Sequence, residues 1–168
     1  LEKVQDQARV QLIGRQGKHP YHEMVQPVVG GEGLTRLPEP SEGDVFFDLE
    51  GDAFAGDAFS ETQSGAGGLE YLFGWVTVDG GRQQFHAHWA YDADGEKQIF
   101  EQFMDAMVER RQRFPDMHIY HYAPYEPGAL KRLMGRYATR EEAVDDFLRH
   151  AVFVDLYGVV RQGVRCSV

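Results

Sequence analysis

Apolar and polar positions alternate first in three segments that predict β-strands. Val45-Phe46-Phe47 leads into Asp48-Leu49-Glu50, which is a short apolar strand ending in acids. Residues 69–78 and 83–90 read as two further strands, joined by Asp79-Gly80-Gly81, a sequence typical of a tight hairpin turn. A glycine-rich loop, 51–68, separates the first strand from this hairpin. The pattern therefore predicts antiparallel strands at the start of a sheet.

From residue 95 onward, helical and strand patterns alternate. Pro115 ends the first helix, and Thr139-Arg140-Glu141-Glu142 reads as a capping box at the start of the third. The order of elements predicts an α/β domain with a mixed central sheet, antiparallel strands first and parallel strands after, flanked by helices. The segments are helix 95–114, strand 117–122, helices 125–137 and 139–150, strand 152–154 and helix 157–162.

The first 43 residues have a different pattern. Residues 2–14 carry apolar side chains at helical spacing, and 17–43 hold four of the seven prolines. We interpret 1–43 as the C-terminal helix and connector of a preceding domain, and 44–168 as the compact domain.

Composition and charge limit the classes of function. The 168-residue chain has a net charge of −10, which argues against binding nucleic acid through a globally basic surface. Its single cysteine, Cys166, excludes an internal disulfide framework and favours a reducing, cytoplasmic setting. No apolar run approaches the ~20 residues that span a bilayer, so no membrane partner is expected. Residues 1–126 hold 10 Lys and Arg against 22 Asp and Glu, whereas 127–168 hold 7 against 5.

The acid pair Asp48 and Glu50 is the first candidate site. Residues two apart in a strand point to the same face, so both carboxylates project together, at the lip of the core. Adjacent carboxylates repel each other unless a cation neutralises them, and oxygen ligands suit Mg²⁺ or Mn²⁺. The alternative is that the acids simply end the strand in solvent. Asp52 is a possible third ligand, although its loop favours exposure.

A second candidate site follows the strand that ends at Tyr122. Glu126 lies in the first turn of the next helix, where the helix dipole stabilises an acid even without a function. His121 is the histidine that we place near the chemistry. Carboxyl ends of neighbouring strands meet at one edge of an open α/β sheet, so we expect Asp48, Glu50 and Glu126 to converge there. Asp155 closes the last strand and is either a further ligand or a helix cap.

Three basic residues lie on the helix that Glu126 begins. Lys131, Arg132 and Arg136 are candidate phosphate contacts in nucleic-acid binding; a solvated basic face is the alternative.

Four segments in order carry a resemblance to a known family. Phe46–Asp52, with Asp-x-Glu at its centre, resembles the first motif of the DEDD 3′–5′ exonucleases of the RNase H-like superfamily. With Gly68–Gly74, His118–Glu126 and Val154–Tyr157, it is more specifically similar to predicted RecB-family nucleases with a YprB-like RNase H domain. The similarity runs from about Leu34 to the C-terminus. The resemblance implies an RNase H-like fold and a neighbouring nuclease or helicase domain in a longer parent chain.

The resemblance also implies a chemistry and a substrate. It implies metal-dependent cleavage of phosphodiester bonds at a single-stranded DNA or RNA end, with two Mg²⁺ or Mn²⁺ ions activating a water and stabilising the leaving 3′ oxygen. Asp48 and Glu50 would bind both metals, Glu126 would replace the aspartate of the second motif, and His121 stands near its usual asparagine. The fourth acid belongs to a helix expected beyond Val168. We therefore expect weak or absent activity from these residues alone.

Two other classes of function remain open. A haloacid dehalogenase-like phosphatase also has an acidic motif after an apolar strand, but here Glu50 and Asp52 replace the Asp and Thr of its Asp-x-Asp-Gly-Thr pattern. A catalytically incomplete RNase H-like module, which binds nucleic acid or docks another domain, fits the acidic balance. The choice between DNA and RNA, and between exo- and endonucleolytic cleavage, stays open.

Overall fold

A computed structural model describes residues 2–17, 19–25, 30–55 and 68–167. These residues form an α/β architecture of five α-helices and seven strands, with one 3₁₀ turn at Gly33–Arg36. The helices are α1 (Glu2–Gln16), α2 (Ala93–Arg113), α3 (Tyr125–Tyr137), α4 (Glu141–Arg149) and α5 (Leu156–Gly163). The strands are β1 (His22–Met24), β2 (Val45–Asp52), β3 (Leu69–Asp79), β4 (Arg82–Trp89), β5 (Ile119–His121), β6 (Phe153–Asp155) and β7 (Val164–Cys166).

The chain divides into two compact units. One unit comprises Pro40–Asp155, and the other combines Leu1–Glu39 with Leu156–Val168. The start of the larger unit lies close to the boundary expected at residue 44. Residues after Asp155 group with the N-terminal unit in this division, and the domain bounds expected from the sequence, 1–43 and 44–168, remain a prediction.

The expected mixed sheet is confirmed in the larger unit. Its strand order is β4-β3-β2-β5-β6. β2 pairs antiparallel with β3 and parallel with β5, while β5 pairs parallel with β6. β2 is therefore the central strand, and it joins the antiparallel half of the sheet to the parallel half. Its carboxyl end carries Asp48 and Glu50.

The core lies on one face of this sheet. Along β2, Val45, Phe47 and Leu49 are buried, and the residues between them are exposed. Phe103 of α2 stacks on Phe47, with ring centroids 4.0 Å apart. α3 and α4 add apolar side chains to the same cluster, among them Leu130, Leu133, Val144 and Phe147. Within the described residues, α2, α3 and α4 thus all contribute side chains to the core on the face that Phe47 occupies.

Two local sequence signals have different outcomes. The hairpin is confirmed: Gly80 and Gly81 have φ of +59° and +76°, values that glycine adopts without strain. The capping box at Thr139 is wrong. α4 begins at Glu141 after Arg140, whose backbone is left-handed and which provides no side-chain cap. The Thr139 hydroxyl donates to Glu101 of α2 and accepts from Arg140 Nη1.

The N-terminal segment forms the expected helix, and the connector that follows it contributes a strand. β1 pairs antiparallel with β7, and His22 lies opposite Cys166. The Tyr21 amide donates to Ser167 Oγ at 2.7 Å. Part of the connector therefore belongs to a small two-stranded sheet. Residues 26–29 of the connector and 56–67 of the glycine-rich loop lie outside the described residues.

Replacing Phe103 by alanine tests the aromatic centre of the core. The Phe103 side chain is fully buried between Phe47, Phe73 and Trp75. We expect Phe103→Ala to lower the free energy of unfolding by about 3–5 kcal/mol, because it leaves a cavity among these rings. Denaturant unfolding measures the loss, and Gln98→Ala, at an exposed position of the same helix, is the matched control. A loss below about 1 kcal/mol would contradict this packing.

Candidate functional site

The acid pair lies on the face of β2 opposite the core. Asp48 and Glu50 are both exposed, whereas Phe47 and Leu49 between and beside them are buried. The shared face predicted for the two carboxylates is therefore present, but on the solvent side of the strand. A β-bulge shifts the register of β2 against β3 between Glu50 and Gly51 and ends the regular alternation there.

Neither carboxylate of this pair has a basic partner within the described residues. Asp48 Oδ1 accepts only the amide of Leu49, at 3.1 Å, and no ion pair involves either acid. Two carboxylates on adjacent same-face positions repel each other, and an external cation relieves that repulsion. Asp52 differs, since its Oδ1 accepts the Phe54 amide and closes a local turn.

Strand pairing brings β5 and β6 alongside the acid pair. Phe46 pairs with Tyr120 across β2 and β5, so Asp48 lies level with the residues just after β5. His121, the last residue of β5, pairs with Asp155 of β6. The strand ends that carry the candidate acids and His121 therefore lie at one edge of the sheet, as expected for parallel neighbours.

A strained turn connects β5 to α3. Ala123 has φ +69°, a left-handed conformation that is costly for a non-glycine residue and is unusual before a proline. Two side chains hold the turn: Asp155 Oδ1 accepts the Ala123 amide at 3.0 Å, and His121 Nδ1 donates to the Ala123 carbonyl at 2.7 Å. His121 and Asp155 thus fix the position at which α3 and Glu126 begin.

Glu126 is buried in the first turn of α3. Its side chain is 3% exposed, and its Oε2 has no hydrogen-bond partner. His121 Nδ1 lies 3.4 Å from this oxygen, but its hydrogen points to the Ala123 carbonyl. A buried carboxylate oxygen without a partner is costly unless a cation or proton satisfies it.

Carboxylate oxygens of this kind suit a divalent cation in their chemistry. Asp48 and Glu50 lack basic partners, and Glu126 keeps an unsatisfied buried oxygen. As the side chains stand, however, no three His, Cys, Asp or Glu residues of the described ranges are grouped closely enough to hold a metal ion. The donor set fits Mg²⁺ or Mn²⁺, while convergence of all three carboxylates remains a prediction.

A second buried acid, Glu70, lies beside the bulge between β2 and β3. Glu70 accepts the Tyr125 hydroxyl at 2.9 Å and Arg132 Nη2 at 2.7 Å. A Cβ on Gly51 would come within 2.3 Å of the Glu70 carboxylate, so a side chain there would displace it. Burial and the bond to Glu70 raise the pKa of Tyr125. Sequence reasoning missed this role, although an acid inside the apolar run 69–73 signals a buried partner.

A third buried acid, Glu96, joins α2 to α3. Glu96 is fully buried and accepts Arg136 Nη1 at 2.7 Å, the Tyr137 hydroxyl and the Glu70 amide. Arg136 also donates to the Gly68 carbonyl at 3.0 Å. Burial and the hydrogen bond to Glu96 raise the pKa of Tyr137. These contacts fasten the beginning of β3 to the two helices.

The three basic residues expected to contact phosphates are therefore not equivalent. Arg132 pairs with Glu70 and lies over the Tyr125 ring at 5.7 Å, and Arg136 pairs with buried Glu96. Lys131 is exposed on the same helix. Both arginines thus form ion pairs with buried carboxylates of the same chain. Binding of nucleic acid by Lys131, Arg132 and Arg136 remains a prediction.

An open pocket of about 790 Å³ lies away from these acids. It is formed by the second half of α2 and the start of α4, and two arginine–carboxylate pairs, Arg111–Asp146 and Arg140–Asp105, line it. The acid pair of β2 does not contribute to it. We therefore assign the candidate site by its chemistry rather than by pocket size.

The chain matches a protein-family model. Residues 45–167 match the family model RNase_H_2 of the RNase H superfamily, a span that begins at the first residue of β2. No curated protein and no solved structure matches the chain. Within the described residues, the helices are too short or too polar to cross a membrane.

Replacing Arg136 by alanine tests whether it serves the fold. We expect Arg136→Ala to lower the free energy of unfolding by about 1–3 kcal/mol, because it leaves the carboxylate of Glu96 buried without its cation. Lys131→Ala, on the exposed side of the same helix, should change it by less than about 0.5 kcal/mol. Thermal or denaturant unfolding measures both, and equal small effects would assign Arg136 to the surface.

Proposed function

Because this chain belongs to the RNase_H_2 family of the RNase H superfamily, we propose that it contains a metal-dependent nuclease domain whose metal-binding carboxylates are Asp48 and Glu50. RNase H-like domains generally hydrolyse nucleic acids and usually use divalent metals such as Mg²⁺. The larger unit, Pro40–Asp155, carries every residue to which we assign a role at the acid site.

The observation that carries the proposal is the contrast between paired and unpaired acids. Several carboxylates of the larger unit have basic partners, among them Glu70 with Arg132, Glu96 with Arg136 and Asp105 with Arg140. Within the described residues, Asp48 and Glu50 have none, although they share one face of the central strand. An external cation supplies the missing positive charge.

Glu126 is the third proposed ligand. Its unsatisfied Oε2, buried at the start of α3, supports this role. His121 and Asp155 act as positioning residues, because both hold the Ala123 turn from which α3 starts. Bound at these carboxylates, Mg²⁺ or Mn²⁺ would supply Lewis acidity and neutralise charge on the phosphodiester as water adds across the phosphorus–oxygen bond.

The finer assignment rests on the resemblance of Asp48-Leu49-Glu50 and of His121–Glu126 to the exonuclease motifs. We propose a two-metal 3′–5′ exonuclease that acts on a single-stranded DNA or RNA end. A neighbouring nuclease or helicase domain in a longer chain would deliver that end. The alternative is a non-catalytic RNase H-like module, which the lack of a grouped three-residue metal site in the described ranges favours.

Metal titration tests the acid pair directly. We expect the protein to bind Mn²⁺, and Asp48→Asn or Glu50→Gln to weaken binding at least tenfold, because each removes a charged oxygen ligand. Isothermal calorimetry measures the affinity, and Asp116→Asn, an exposed acid outside the site, is the matched control. Gel assays with 5′-labelled single strands and Mg²⁺ then follow cleavage. Unchanged Mn²⁺ affinity in both variants would exclude this pair as the metal site.

Glu126→Gln separates a ligand role from a purely structural one. In EDTA, we expect the variant to be as stable as the wild type or up to about 2 kcal/mol more stable, because it removes a buried carboxylate with an unsatisfied oxygen. With Mn²⁺, the wild type should gain more in melting temperature than the variant. Calorimetric melting measures both conditions. A large loss of stability in EDTA, with an equal gain from Mn²⁺, would make Glu126 a structural residue.

A further inference from the structure

Three aromatic rings are exposed on the sheet face that carries the acid pair. Phe46 of β2 and Phe85 and Trp89 of β4 are 49%, 69% and 53% exposed. We call these three residues the aromatic platform. By contrast, the second tryptophan, Trp75, lies on the other face and is buried. Exposed rings concentrated on one sheet face are uncommon unless a partner covers or contacts them.

The strand register places the platform in direct continuity with the acids. Phe46, Val76 and Phe85 form one row across β2, β3 and β4. Glu50, Leu72 and Trp89 form another row. Asp48, Gly74 and Ala87 form the row between them. Neighbouring strands are about 4.8 Å apart, so each acid lies roughly 10 Å from the β4 residue in its own row.

Gly74 shapes this surface next to Asp48. It pairs with Asp48, and a Cβ placed on it would lie 3.7 Å from the Phe85 ring. The Phe85 ring therefore lies over Gly74, the β3 residue of the middle row, which has no side chain. Trp89 is held on one side by Tyr71, whose ring stacks on it with centroids 6.0 Å apart. Phe46 stacks on Tyr120 with ring centroids 5.3 Å apart, so each of the three rings has one supporting contact and remains exposed.

The charge of the face excludes attraction of a phosphate backbone by the strands themselves. The residues of β2, β3 and β4 that point to this side include no Lys or Arg, and Asp48 and Glu50 are acidic. Flat aromatic surfaces bind nucleobases by stacking, which does not depend on base sequence or on positive charge. A duplex hides its base faces within the stack, whereas a single strand exposes them.

We propose that the aromatic platform binds single-stranded nucleic acid by stacking unpaired bases on Phe46, Phe85 and Trp89, and leads the strand to the acid pair. This inference rests on the proposed function only in taking Asp48 and Glu50 as the cleavage site. The bases contact the platform, and the phosphates approach the edge at which a cation is held. Phe85 and Trp89, four residues apart on β4, are separated by about 13 Å, which accommodates two to three nucleotides of an extended strand.

The test measures binding in EDTA, where cleavage does not occur. The probes are fluorescein-labelled 12-residue oligothymidine, the same length of abasic backbone and a 12-base-pair duplex. Fluorescence anisotropy gives the affinities of the full chain and of Phe85→Leu, Trp89→Leu, Phe46→Leu and Gln84→Ala. Leucine keeps apolar character without a ring, and Gln84 lies on β4 but on its other face, so it is the matched control.

We expect the single strand to bind best, with a shallow dependence on salt, and each leucine variant to lose roughly tenfold in affinity. Gln84→Ala should bind as the wild type does. The inference is overturned if the abasic strand or the duplex binds equally well, if the leucine variants bind normally, or if the single strand does not bind. It is also overturned if sedimentation shows that the leucine variants only disrupt a dimer of this chain.

The nuclease proposal and the platform proposal can be rejected independently of each other. Cleavage that Asp48→Asn abolishes, together with normal binding by the leucine variants, would retain the nuclease and reject the platform. Ring-dependent binding without cleavage by the wild type would retain the platform and favour the non-catalytic module. Leucine variants that cleave a single strand more slowly at low concentration, yet normally at saturation, would support both.

Discussion

The two-residue period of β2 is the constraint on which the rest of the structure depends. β2 pairs with β3 along its length and with β5 at Val45 and Phe46, and its side chains alternate between two faces. Val45, Phe47 and Leu49 are buried in the core against α2. Because side chains alternate along the strand, Asp48 and Glu50 lie on the opposite face. A shift of one residue would bury both acids and expose three apolar side chains, which makes the register strongly specified.

Electrostatic pairing then determines which acids are available for chemistry. The chain is strongly acidic, and several basic residues of the larger unit are committed to particular carboxylates. Arg132 and Arg136 of α3 extend from one helix to Glu70 and Glu96, so the helix that begins with Glu126 also neutralises the acids around the start of β3. Among the described residues, Asp48 and Glu50 share one strand face at the sheet edge without a basic partner, and Glu126 keeps an unsatisfied oxygen. Their position, rather than a large cavity, distinguishes the candidate site.

The geometry at the edge is held by a turn that is itself unfavourable. Ala123 adopts a left-handed conformation before Pro124, and His121 and Asp155 each contribute one hydrogen bond to it. Backbone strain of this kind persists only where the surrounding contacts over-determine it, and it is concentrated at functional positions. The Ala123 turn connects β5 to α3 and is bonded to Asp155 of β6. It therefore fixes the buried Glu126 beside His121. The same edge borders the aromatic face, so cleavage and base binding would share one side of β2.

Local sequence patterns predicted correctly those elements that form through interactions between residues close in sequence. The hairpin at Gly80-Gly81 and the helix 125–137 follow from turn chemistry and from periodic apolar positions, and both are confirmed. The mixed sheet follows from the order of strands and helices, and the shared face of Asp48 and Glu50 from strand alternation. The capping box failed for the opposite reason. Thr139 has the right local sequence, but in the fold its hydroxyl contacts Glu101, distant in sequence, and α4 begins after Arg140 instead.

What only the tertiary structure decided was which side chains meet. Composition could not show that Arg132 and Arg136 are bound to Glu70 and Glu96, because those acids come from a strand and a helix far along the chain. Nor could it show that β1 pairs with β7, or that Phe46, Phe85 and Trp89 share a face with the acid pair, since both depend on register between separate strands. The sequence by itself determined the elements and the chemical groups, because propensity and alternation act over a few residues. Partners, burial and strain were decided by packing, because each requires residues that only the folded chain brings together.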